Sequence, residues 1–173
     1  MLNNTIPLTG QIETVQQAKE FLLGITAEGY QKVLKPHFSS SAGAHMRHIL
    51  DHYLALKDGI ASGVVNYNKR NRHSNVESCI TTALSKWAEI ELWLEEVSEL
   101  DADLPISIIC ETSVNETQNT QTQSTLAREL VFVSSHAIHH FSLLGVINSL
   151  LGNGSLSGFG VAPSTASYLR KQA

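Results

Sequence analysis

Six of the chain's eight histidines fall in two short windows, His45, His48 and His52 in the first and His136, His139 and His140 in the second. Imidazole is the commonest side-chain ligand for a divalent metal and titrates near neutrality, so this density points to metal ligation or proton handling. At about 100° per helical residue, His140 lies about 40° from His136, beside Val133, Ala137, Leu144, Ile147 and Leu151. Both rings therefore face a core. Side chains four apart on a helix stand about 5–6 Å apart at Cβ, and two imidazoles so placed can converge on zinc at about 2.0–2.1 Å. The ordinary alternative is a histidine satisfied by hydrogen bonds, which suits a lone ring on an apolar face. Two neutral rings side by side are harder to satisfy without a shared partner. His139, at about 300° on the same wheel, sits on the edge of the stripe.

The first window can supply a third ligand, but spacing does not say which. His45, His48 and His52 share one side of a helix, and Met46, Ile49, Tyr53, Leu56 and Ile60 centre nearer His45 than His48. Burial alone thus favours His45 or His52. Asp51 can orient a ligating ring through its second nitrogen, or can be a solvated helix carboxylate. Glu129, one heptad before His136, is placed to be a fourth ligand, a general base, or a first-turn carboxylate favoured by the helix dipole. Three protein nitrogens with one open position describe a catalytic metal, which lowers the pKa of bound water toward about 7 or takes a thiolate.

Other chemistries lack their residues. There is no Glu-x-x-His, His-Glu-x-x-His, Gly-x-Ser-x-Gly, P-loop or dinucleotide glycine pattern. The formal net charge is −4, and the largest basic group, Lys69, Arg70 and Arg72, reads as a solvated loop, so nucleic acid is not indicated. Cys79 and Cys110 are too few for a disulfide scaffold and read as spectator thiols in a reducing compartment, the cytoplasm. Met1 to Gly10 lacks the pattern of an export signal, and no stretch is expected to reach the roughly 20 apolar residues of a membrane span.

The elements that must position the histidines follow from period and punctuation. Thr14-x-x-Gln17 reads as a capping box for a first helix ending near Leu34. Pro36 and the caps Ser39 to Ser41 precede a second, running to about Ser62. Ser74-Asn-Val-Glu77 reads as the cap of a third, along which Val76, Ile80, Ala83, Trp87, Ile90, Leu94 and Val97 repeat at helical spacing. Pro105 ends that pattern; Ile106, Ile108 and Cys110 alternate as in a short strand or hairpin, and Asn115 to Gln123 is a polar tract. A fourth helix runs from Ser124 or Thr125 to Leu151 before Gly152, and Pro163 opens a short C-terminal one. The expectation is an all-α fold over 1–173, one domain: an antiparallel up-down four-helix bundle with a strand or hairpin crossing between helices three and four.

Ser41-Ala-Gly-Ala-His-Met-Arg-His48-Ile-Leu-Asp-His52 followed by His136-Ala-Ile-His-His140 resembles the DinB/YfiT-like superfamily of metal-binding four-helix bundles. That resemblance implies one ligand from the second helix and a His-x-x-x-His pair from the fourth. On the matching positions these are His48, His136 and His140, holding zinc or nickel. It further implies a metal-dependent enzyme of thiol-transferase or hydrolase type, with a low-molecular-weight thiol among its small-molecule substrates and a homodimer as its assembly. The competing expectation is a non-catalytic binding or interaction module in which the metal only staples two helices.

Overall fold

The computed structural model describes residues 6–172, so the reading of Met1 to Gly10 lies partly outside the described residues. Helices α1 (Leu8–Gly24), α3 (Ala42–Ile60), α4 (Ile80–Val97) and α5 (Leu126–Leu150) enclose one core, with the shorter α2 (Ala27–Gln31) and α6 (Pro163–Arg170) at its periphery. Strands β1 (Val64–Asn66), β2 (Pro105–Glu111) and β3 (Asn119–Thr125) form a mixed sheet in the order β1-β2-β3. The all-α expectation is thereby corrected to an arrangement of six helices and a three-stranded sheet among the described residues.

The sheet joins the segment around Ile106 to a further strand, β1, that is too short to show a period in the sequence. Val64-Val-Asn follows the positive-φ turn at Gly63 (φ 69°) and pairs in parallel with β2, Val65 opposite Ile108. A β-branched pair after a glycine is short but suited to a pleated, half-buried surface. β2 then turns back on β3, placing Ile108 opposite Thr122. Val65, Ile106 and Ile108 are buried, whereas most of β3 is exposed, so the Asn/Gln/Thr tract forms an edge strand with one polar face.

Several helix boundaries also move, for local reasons. α1 begins at Leu8, and Thr14 is no cap: its hydroxyl donates to the Gly10 carbonyl one turn back. Ile25 and Thr26 are extended, and the Thr26 hydroxyl accepts from Gly29 N to start α2, so the expected single helix to Leu34 is split. Ser74 makes no cap bond. Residues Asn75–Glu77 form one 3-10 turn, and Glu77 Oε1 accepts from Arg47 at 2.8 Å and from His73 N at 3.1 Å, one residue before the expected cap. Ser41 does cap α3 through Ala44 N, and Thr125 caps α5 through Arg128 N.

Two buried links tie the helices that carry the histidines. The Tyr53 hydroxyl donates to Gln11 Oε1 at 3.1 Å, and Gln11 Nε2 donates to the Leu130 carbonyl at 2.8 Å, joining α1, α3 and α5. Trp87 from α4 packs against Tyr53 and points its indole N–H at Met46 Sδ. By length and composition α5 is able to cross a membrane, with 25 residues and a window of mean hydropathy 1.6, contrary to the expectation that no stretch comes near. In this fold it is a core helix: Leu130, Val133, Ala137, Phe141 and Leu144 are fully buried against the other helices.

Candidate metal centre and its cleft

Ser41 sets the start of α3 and Thr125 that of α5, and the two helices lie side by side with their histidines facing one another. One nitrogen each of His48, His136 and His140 lies within 4.8 Å of the others. His48 Nε2 is 3.0 Å from His136 Nε2, and His45 Nδ1 is 3.0 Å from His140 Nδ1. His45 Nε2 is buried without a hydrogen-bond partner. Each nitrogen-to-nitrogen contact accommodates one proton, so the rings cannot all be charged.

Burial is the leading reason they stay neutral. It holds His48 down to about 2, His136 to about 3 and His140 to about 4, with the neighbouring imidazoles and Arg70 pushing the same way. His45 and His52 are lowered too, again chiefly by burial. Neutral imidazole is the form that ligates a metal. A tetrahedral ion at about 2.0–2.1 Å from its ligands separates their nitrogens by about 3.3 Å, near the spacing that His48 and His136 already show. The donor set fits a divalent ion.

The remaining histidines have distinct places. His52 directs Nδ1 at the His48 carbonyl at 2.9 Å, which fixes its proton there and leaves Nε2 with a lone pair. Its ring centroid is 4.2 Å from that of His136. His139 is exposed on α5, with its ring centroid 5.2 Å from that of His140.

The two carboxylates considered as partners for the metal are engaged elsewhere. Asp51 accepts from Arg47 at 2.7 Å and from Asn71 N at 3.3 Å, so it fastens the loop after β1 to α3 and does not orient an imidazole. Glu129, 2% exposed, accepts from the Tyr67 hydroxyl at 2.7 Å, the Ser124 hydroxyl at 2.6 Å and Arg128 at 3.1 Å. Those donors occupy both oxygens. Replacing Glu129 with Ala is therefore expected to leave metal stoichiometry unchanged. It should lower stability by about 1–3 kcal/mol, the cost of stranding buried hydroxyls. Urea denaturation and elemental analysis of one preparation check both; loss of metal would restore Glu129 as a ligand.

Sequence reasoning missed Arg70. Asp51 draws the loop back to α3, and the Arg70 guanidinium donates to His48 Nδ1. No spacing rule links residues 22 apart across a strand and a turn, and the basic group resembled any solvated loop. Beside it opens a cleft of about 630 Å³ between the sheet and the first half of α5. Tyr67, His52 and Phe132 line it as a connected aromatic wall, with Tyr67 to His52 at 5.4 Å, Tyr67 to Phe132 at 5.2 Å and Phe132 to His136 at 6.0 Å between centroids. The cleft thus reaches the metal-ligand cluster through His52.

No family model matches the chain. It is similar to a protein of Rhizopus delemar named FK506-binding protein 5, 35% identical over 109 residues that make up 63% of this chain and 28% of that protein. The chain spans less than a third of the length of this relative. The comparison overturns the expectation of a DinB-like metal-dependent enzyme with thiol-transferase or hydrolase chemistry, because the similarity runs to a protein named for binding. Glu129, offered as general base, accepts instead from Tyr67, Ser124 and Arg128.

Proposed function

We propose that this chain is a small-molecule-binding domain, with a divalent ion, zinc or nickel, held by His48, His136 and His140 at the inner end of its cleft. The observation that carries this reading is the convergence of three neutral imidazoles within 4.8 Å beside a cavity large enough for a small ligand. When bound, the ion supplies an open coordination position for a ligand's lone pair. The protein's own groups do the rest. His45 holds His140 through Nδ1, Phe132 stacks on His136, and Tyr67 and His52 give the ligand an aromatic wall. The relative's name supports a binding role. The free thiols Cys79 and Cys110 support a reducing, cytoplasmic setting.

Elemental mass spectrometry on untagged protein incubated with zinc or nickel tests the ion. About one equivalent is expected in the wild type and none in His48→Ala, His136→Ala or His140→Ala, whereas His139→Ala should retain it. Absence of metal from the wild type, or its retention in all three ligand variants, would remove the ion from the reading. Calorimetric titration with FK506 on the same protein tests the relative's ligand directly: heat of binding brings that ligand to this chain, and none leaves it with the longer relative.

A further inference from the structure

Arg70 and Arg72 both line the cleft, and among the described residues neither has a carboxylate within 4 Å. The other arginine on its wall, Arg128, is paired with Glu129 and lies over the Phe132 ring at 5.3 Å. Glu129 is engaged by that pair and by two hydroxyls, which leaves Glu111 as the acidic group on the wall without such partners. Three guanidiniums thus face two carboxylates in a cleft of a chain whose formal net charge is −4. The charge of the cleft is opposite to that of the molecule.

We infer that the cleft takes a small organic carboxylate, its anionic group clasped by Arg70 and Arg72 and its planar or apolar body laid against Tyr67, His52 and Phe132. A guanidinium offers a planar fork of donors that matches a carboxylate, and such charge-assisted bonds are roughly twice as strong as neutral ones. At present Arg70 donates to a neutral imidazole, so a carboxylate is the better partner for it. The aromatic wall argues for a ligand with a body over a bare inorganic anion, since rings in contact offer an apolar face that phosphate cannot use. Arg72 is exposed at the mouth, which suits first capture of the anion from solvent.

This inference deepens the binding reading but does not depend on the metal, so it is tested in chelator-treated and zinc-loaded protein alike. The probes are benzoate, its neutral isostere benzamide and inorganic phosphate, titrated calorimetrically at low salt into the whole chain. Benzoate is expected to bind at least about tenfold more tightly than benzamide or phosphate, and its affinity should fall as salt is raised. Arg70→Gln with Arg72→Gln should weaken benzoate about tenfold, leave benzamide unchanged and preserve the circular dichroism melt, both side chains being exposed. Equal binding of benzoate and benzamide, tighter binding of phosphate, undiminished benzoate affinity in the double variant, or no benzoate binding at all would overturn it. Failure to load zinc with benzoate still bound would sink the metal and spare the anion site.

Discussion

Metal-free protein is expected to lose its fold between pH 6.5 and about 4, a window that opens about two units above the range in which ordinary carboxylates titrate. The unfolded chain's histidines take up protons near 6.5, while burial keeps His136 neutral down to about 3 and His140 down to about 4. Below 6.5 the unfolded state therefore binds more protons than the native one, and stability falls as pH falls. The contribution is fully present above 6.5 and is lost through the window down to those folded values. Each ring that stays neutral in the fold costs about 1.4 kcal/mol for every pH unit below 6.5. With His48 held to about 2 as well, two units of acidification across these three rings amount to a large share of the stability of a domain, about 5–15 kcal/mol. Fluorescence of the buried Trp87 and Trp93 followed through an acid titration gives the midpoint. The His136→Gln, His140→Gln double variant should shift it to lower pH. A wild-type midpoint near 3, or one that the double variant does not move, would show that the rings are not held neutral by the fold.

The histidine cluster behind that acid sensitivity is legible in part in the sequence. The 3.6-residue period places His136 and His140 on the core-facing stripe of α5, where His140 is buried and His136 half-buried. The same wheel does not choose among His45, His48 and His52, because all three sit on the side of α3 that meets α5: His45 reaches His140, and His48 and His52 both reach His136. What periodicity does not encode is a contact made through a loop. Arg70 reaches His48 only because Asp51 accepts from Asn71 N, and Tyr67 reaches Glu129 only because β1 pairs in parallel with β2. β1 leaves no mark in the sequence for a related reason. Three residues after a glycine carry too little alternation to register as a strand, yet pairing with β2 satisfies their backbone and turns an all-helical expectation into a mixed fold. The capping box at Ser74 is not formed because Glu77 reaches one residue further back, to His73 N, while Arg47 gives the same oxygen a charged donor.

That Arg47–Glu77 link sits beside the tightest backbone approach to α3, and a single methyl group there should be severely destabilising. A Cβ on Gly43 would stand 2.0 Å from the Glu77 carbonyl oxygen, 2.8 Å from its carbon and 2.9 Å from the Tyr30 ring. Two of those atoms are backbone, and Tyr30 is pinned by its hydroxyl donating to the Val76 carbonyl at 2.7 Å, so nothing close by can swing away. Alanine is better than glycine in a helix by about 1 kcal/mol, but overpacking of this kind typically costs 1–3 kcal/mol and here must also move a chain segment. Gly43→Ala is expected to lower stability by about 3 kcal/mol, or about 6–12 °C in Tm for a chain of this size. Gly10→Ala is the control: it is an exposed position in α1 with nothing within 4 Å of the added carbon, and it should gain about 0.5–1 kcal/mol. Urea denaturation of both variants decides the matter. Because the displaced turn carries Glu77 and so the Arg47 anchor of α3, Gly43→Ala should also weaken zinc binding without touching any histidine. A variant within 1 kcal/mol of wild type would mean that α3 is free to shift against the turn, and the close packing ascribed to it would be wrong.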